Sequence, residues 1–206
     1  MAMLLVFMNP PATDVDAWNA WYDDEHVPAR LRVPGIRSGR RYSAVGDEGP
    51  RYLTYYDLES LDVLKSGAYG RLSQERSERE KAMLAVTPMV DRRILRTVHD
   101  AAPLDEPVPL LLAVGLEPAA GAEADLQAWY EQEHIPMLLD VPGWQRSGLF
   151  EQVDGKGTRF LALHELESEA VFDTEAYRKA TSTPWRERVI NGVTRRDRWL
   201  FRRYSH

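Results

Sequence analysis

The chain has 206 residues, a net charge of −6, 44% hydrophobic and 28% charged residues, and no cysteine. That balance supplies an ordinary buried core, and it excludes a disulfide framework, a thiol nucleophile and a thiolate metal site. An acidic chain suits neither nucleic acid nor an anionic membrane surface, and no run approaches 18 apolar residues, so no spanning helix is expected.

Residues 3–8 form a short, continuous apolar run, the pattern of a strand covered on both faces. No basic residue precedes the run, so it reads as a strand rather than a signal peptide, and the protein is expected in the cytoplasm. Asn9-Pro10-Pro11 ends the strand. Thr13 is placed to N-cap a helix, with Asp14 and Asp16 in its first turn. Val15, Trp18, Tyr22, His26 and Ala29 then recur at helical spacing, which puts the histidine on the core-facing stripe. Pro28 has no N–H for the carbonyl four residues back, so the helix is expected to bend and free the Asp24 carbonyl. Val33-Pro34-Gly35 stops it. Two strands, 36–45 and 51–58, follow as a hairpin around Gly46–Pro50. A short helix is expected near 60–66 and a longer one over about 69–85. The Glu75/Arg79 and Arg76/Glu80 pairs of the longer helix read as a solvated face. A strand over 89–98 closes this half.

The chain then repeats itself. A shift of 108 positions lays Trp21 to Ser60 on Trp129 to Ser168 without a gap, with 16 of 40 residues identical, against roughly one in fifteen by chance. Pro136 repeats Pro28 and is expected to free Gln132. The expected organisation is a first repeat over 1–98, a linker over 99–107 and a second repeat over 108–206. The late helix of the second half, interrupted by Pro184-Trp185, is where the halves are expected to differ most. Each half reads β-α-β-β-α-β, the order of a ferredoxin-like unit with a four-stranded antiparallel sheet and both helices on one face. The second sheet face is also apolar. The economical partner is the sister sheet, giving two tandem ferredoxin-like repeats in an intramolecular pseudo-dimeric α+β barrel.

The motif Trp-Tyr-x-x-Glu-His-[Val/Ile]-Pro, followed by Val-Pro-Gly, resembles the dimeric α+β barrel superfamily and is most similar to its EthD-like branch in tandem form. The resemblance covers both halves. It implies a pocket between sheet and first helix in each, to which His26 and His134 contribute. Relatives include polyketide cyclases, muconolactone-type isomerases and cofactor-free monooxygenases. The implied activity is cofactor-independent acid–base isomerisation or cyclisation of a small, mostly apolar carbonyl compound, such as an aromatic, lactone or polyketide-like molecule. The alternatives are a non-catalytic binding or scaffold protein and a cofactor-free monooxygenase. No cofactor or metal is implied. The partner is a small-molecule substrate, in a monomeric pseudo-dimer or a homodimer.

Imidazole is the side chain best suited to move a proton near neutral pH, which makes His26 and His134 the leading catalytic candidates. Tyr42, Tyr56 and His164 are candidates to steady a developing oxyanion or act as a second base. Trp18, Tyr22, Arg30, Tyr130 and Phe150 complete the expected substrate-binding set. Against this stands a structural reading in which each imidazole bonds a carbonyl and clamps the bent helix to its sheet. Glu25 and Glu133 point away from their neighbouring histidines around a helix. Asp23/His26 and Glu131/His134 have a metal-like i,i+3 spacing, but no further helices carry the carboxylates such a site requires. Arg37, Arg40 and Arg41 read as a local basic patch held by ion pairs.

Overall fold

The computed structural model describes residues 2–100 and 108–204. The chain divides into two compact units, Met1–Arg96 with Val153–Lys156, and Thr97–Gln152 with Gly157–His206. Of the expected linker, residues 101–107 lie outside the described residues, and 99 and 100 continue the preceding strand.

The first unit runs β1 (Ala2–Asn9), α1 (Val15–Trp21), a π-helical turn (Tyr22–His26), α2 (Val27–Leu31), β2 (Ile36–Ala44) and β3 (Tyr52–Leu58). A 3₁₀ turn (Leu61–Lys65), α3 (Gly67–Gln74), α4 (Glu78–Val86) and β4 (Met89–Asp100) complete it. Its strands pair antiparallel in the order β4-β1-β3-β2. The second unit repeats this as β5 (Leu110–Pro118), α5 (Glu123–Trp129), a π turn (Tyr130–His134), α6 (Ile135–Leu139), β6 (Trp144–Asp154) and β7 (Phe160–Leu166). A 3₁₀ turn (Glu169–Asp173), α7 (Glu175–Ala180), α8 (Pro184–Asn191) and β8 (Val193–Arg203) follow, with β5 between β7 and β8 and β6 beyond β7. The fold class is α+β, with one four-stranded antiparallel sheet in each unit.

Strand alternation assigns the faces. In the first unit Leu4, Val6 and Met8 of β1 and Tyr52, Thr54 and Tyr56 of β3 face the helices, since Asn19 of α1 donates to the Tyr52 hydroxyl at 3.2 Å. Met3, Leu5, Phe7, Tyr42, Leu53 and Tyr55 occupy the opposite face and are equally buried. Both faces are covered, as the unbroken apolar runs require. After α2 the chain turns at Gly35 with φ +91°, and the second unit repeats the turn at Gly143 with φ +86°. This left-handed region suits glycine, which is why Val-Pro-Gly recurs.

Four local expectations are corrected. Asp14, at φ 60°, and not Thr13, precedes α1, and it makes no side-chain cap. Pro28 is absorbed by a π turn, in which the Val27 N–H donates to the Tyr22 carbonyl five residues back. The wider turn keeps the chain helical where an α-helix would clash with the ring. The second unit repeats this ahead of Pro136, from Ile135 to Tyr130. The single helix expected over 69–85 is two helices, with the Ser77 hydroxyl capping α4 by accepting from the Glu80 N–H at 3.0 Å. Finally, Pro184-Trp185 does not set the second half apart. Thr183 caps α8 as Ser77 caps α4, and Pro184 takes the first helical position, which needs no N–H. Both late helices break, and the second breaks two residues earlier in the register of the repeat, the expected shift.

Candidate functional site

His26 ends the π turn, and its ring is packed between Trp21 and Tyr22, with centroid separations of 4.7 and 4.5 Å. The extra residue of the π turn lets Trp21, Tyr22 and His26 serve one buried face. Nδ1 of His26 stands 3.3 Å from Oε1 of Glu80, out of line for a formed hydrogen bond. Arg30, one turn on, donates to the His26 carbonyl at 2.9 Å and lies 3.8 Å from the same Glu80 oxygen. Burial is the main influence on the imidazole and lowers its pKa to about 4, although Glu80 pulls the other way. The ring is therefore neutral at pH 7. Glu80 is held below the usual carboxylate range, chiefly by its interaction with His26.

Glu80 escapes the sequence reading, which pairs it with Arg76 on a solvated face. The available signal is Ser77-x-x-Glu80, the spacing of a capping box, which marks a helix start at that point. Ser77 also donates to the Glu25 carboxylate, and Thr183 does the same to Glu133 at 2.5 Å. Glu25 and Glu133 thus tie the first helical segment to the cap of the late helix.

A cavity of about 210 Å³ opens beside His26. Leu4, Val6, Met8, Leu84 and Val90 make its apolar wall, and Arg30, Arg76, Arg92 and Tyr69 add polar groups. Glu80 also borders an open outer groove of about 630 Å³, so it stands between the cavity histidine and solvent.

The other candidates are distributed differently. Tyr56 and Tyr22 share the helix face, buried against one another, and burial raises both phenol pKa values. Trp18 packs on Tyr22 and Tyr52 and donates to the Thr87 hydroxyl at 2.9 Å. Tyr42 stacks on Tyr55 on the opposite face of the sheet, and Phe150 pairs with Leu161 on the matching face. Neither shares a cavity with its unit's imidazole, because residues one apart on a strand point to opposite sides. Asp23 binds Arg41 at 2.8 Å instead of joining His26. Arg41 also donates to Asn19, Arg40 donates to the Tyr55 hydroxyl, and Arg37 pairs with Glu59. Among the described residues, no group of three or more His, Asp or Glu is placed to hold a metal ion.

The second unit has the corresponding cavity with only about 30 Å³ of space. His134 stacks on Trp129 at 4.2 Å and lies 6.5 Å from His164. Burial lowers the pKa of both imidazoles, that of His164 to about 3, while the Ala180 backbone pulls that of His134 the other way. Nδ1 of His164 pairs with the Ser147 hydroxyl at 2.9 Å. Tyr130 lines this cavity. The helix position of Glu80 is taken by Arg186, whose N–H bonds the Thr183 cap as that of Glu80 bonds Ser77. Among the described residues no carboxylate stands behind His134.

No family model matches the sequence, and no curated protein matches it. Solved structures do match its fold. An anthrone oxidase-like protein superposes with a TM-score of 0.69 at 13% identity, covering 99% of this chain and 91% of its own. A chlorite dismutase variant from Candidatus Nitrospira defluvii gives 0.61 at 10%, over 99% and 91%. A major regulator of staphylococcal pathogenesis gives 0.58 at 10%, over 99% and 100%. At these identities the likeness is one of fold alone. No helix among the described residues is long and apolar enough to cross a membrane.

Proposed function

We propose that the first unit holds the working site of a cofactor-independent acid–base enzyme. His26 acts as general base on a small carbonyl compound, such as an aromatic, lactone or polyketide-like molecule, leading to isomerisation or cyclisation. The observation that carries this reading is a neutral imidazole that lines a 210 Å³ cavity and has a carboxylate at its back. With Nδ1 turned to Glu80, the other ring nitrogen is left for the substrate. It takes the proton from the carbon next to the carbonyl, and the electron pair moves onto the oxygen. Arg30 and Arg92 border the cavity and favour that oxyanion. Glu80 steadies the imidazolium and, from the edge of the outer groove, offers a proton path to water. His134 takes no part in this reaction.

The test is deuterium incorporation from D₂O next to the carbonyl in a panel of small lactones and cyclic ketones, followed by proton NMR. His26→Gln is expected to abolish exchange and His134→Gln to preserve it. Exchange surviving in His26→Gln overturns the proposal.

A second reading is supported by the fold likeness to an anthrone oxidase-like protein. There His26 removes a phenolic proton and the electron-rich phenolate reacts with O₂. Oxygen uptake with such a phenol, lost in His26→Gln, distinguishes it. A non-catalytic binding role predicts neither signal.

A further inference from the structure

We infer that the second unit carries a separate binding site for a carboxylate group, formed by Arg186, Arg196 and Arg198 at the mouth of the small cavity beside His134. The three arginines come from two elements. Arg186 is at the start of α8, while Arg196 and Arg198 lie two apart on β8 and so share one face, opposite Leu116 and Val114 of β5. All three line one cavity. Several other arginines of this unit have acids: Arg188 has Asp125, Arg159 has Glu123 and Glu151, and Arg146 has Glu165. These three have no carboxylate within ion-pair distance among the described residues. Arg198 only stacks over Phe172. Burial and the nearby Arg196 lower the pKa of Arg186, so the cluster repels itself as it stands. An independent observation points to the same ligand. His134, 8% exposed, lines this cavity with an Nδ1 that is buried and has no hydrogen-bond partner. A ligand oxygen would satisfy it.

The size selects the group. About 30 Å³ of space holds roughly two water-sized groups, which matches the two oxygens of a carboxylate and is too small for a ring. The flat guanidinium fork matches that planar anion. The body of the ligand therefore lies outside, with its acid inserted. The repeat has turned one pocket into two opposites: the first unit sets a carboxylate against its histidine, and the second sets three cations around an unmet anion.

The experiment uses the full chain. Melting temperature and calorimetric affinity are measured with sodium acetate and sodium benzoate, against sodium chloride at equal ionic strength and against sodium phosphate. Acetate and benzoate are expected to raise the melting temperature of the wild type by a few degrees above chloride. In Arg186→Gln/Arg196→Gln the gain is expected to vanish, with affinity at least tenfold weaker. The variant's melting temperature in chloride should equal or exceed that of the wild type, because removing mutual repulsion costs nothing in folding. Should the double variant fail to fold, Arg196→Gln alone, on the exposed strand, is expected to weaken binding at least threefold. No gain in the wild type, an equal gain in the variants, or a larger gain from phosphate than from the carboxylates overturns the proposal.

Discussion

Nδ1 of His26 and Oε1 of Glu80 lie 3.3 Å apart, and the second unit has Arg186 at the helix position of Glu80. The two histidines come from one duplicated motif, yet only His26 has an acid behind it among the described residues. That difference makes the first unit the site of proton transfer in the proposed reading.

Glu80→Gln tests the dyad directly. Turnover is expected to fall by about tenfold, because one pKa unit is worth about 1.4 kcal/mol of interaction with the protonated ring. His26→Gln is expected to cost on the order of a hundredfold or more. Glu80 raises the His26 pKa against burial, so the acid limb of kcat/KM, near pH 4 in the wild type, should move to lower pH in Glu80→Gln. Glu80→Asp should restore part of the rate. A fall in rate with the limb unmoved would make Glu80 a structural residue only.

Stability should fall as pH drops below about 6.5. His26 has a folded pKa of about 4 and His164 of about 3, each depressed by burial. Between those values and 6.5 the unfolded chain binds more protons than the folded one, so unfolding free energy rises with pH across that window. The shift of His26 alone corresponds to roughly 3 kcal/mol, fully present above pH 6.5 and lost by about pH 4. Urea midpoints from pH 4 to 8 check this. His164→Phe should flatten the curve, and a curve unchanged in both His26→Gln and His164→Phe would refute the assignment.

Ser77 and Thr183 each cap a late helix and also hold a glutamate of the unit's first helical segment. Ser77→Ala removes both functions and is expected to cost about 1–2 kcal/mol, with Thr183→Ala similar. Ser77→Thr should be tolerated. Urea denaturation distinguishes these outcomes.

The strand pair Gly39/Tyr56 is matched by Ser147/His164 in the other unit. A Cβ on Gly39 would lie 3.0 Å from the Tyr56 ring, whereas Ser147 meets His164 with a hydrogen bond at 2.9 Å. Gly39→Ser alone should therefore destabilise through crowding, and Tyr56→His alone through lost packing. The double variant Gly39→Ser/Tyr56→His should recover about 1 kcal/mol relative to the sum of the two. Strict additivity in the double-mutant cycle would deny the coupling.

Much of the fold is legible in order along the chain. The repeat, the β-α-β-β-α-β sequence and the inward helix stripe with His26 on it all follow from local pattern, because strand and helix periods are properties of neighbouring residues. The π turn is half legible: Pro28 and Pro136 mark where α-helical bonding fails, but how the chain recovers depends on the large rings that must reach one buried face. Residue type alone groups Tyr42 and Phe150 with the imidazoles, although alternation sets them opposite Tyr22 and Tyr130. Placing them correctly needs strand register, which a single sequence leaves open.

The sequence by itself determined that this protein has two copies of one module, each with a histidine on the buried stripe of its first helix. Only the tertiary structure decided which histidine faces an acid and which cavity has room. Glu80 lies 54 positions beyond His26, and Arg186 lies 52 beyond His134. Nothing local joins either pair. Their meeting depends on where the broken late helix crosses the first, and there one residue identity, carboxylate or guanidinium, sets the charge beside each imidazole.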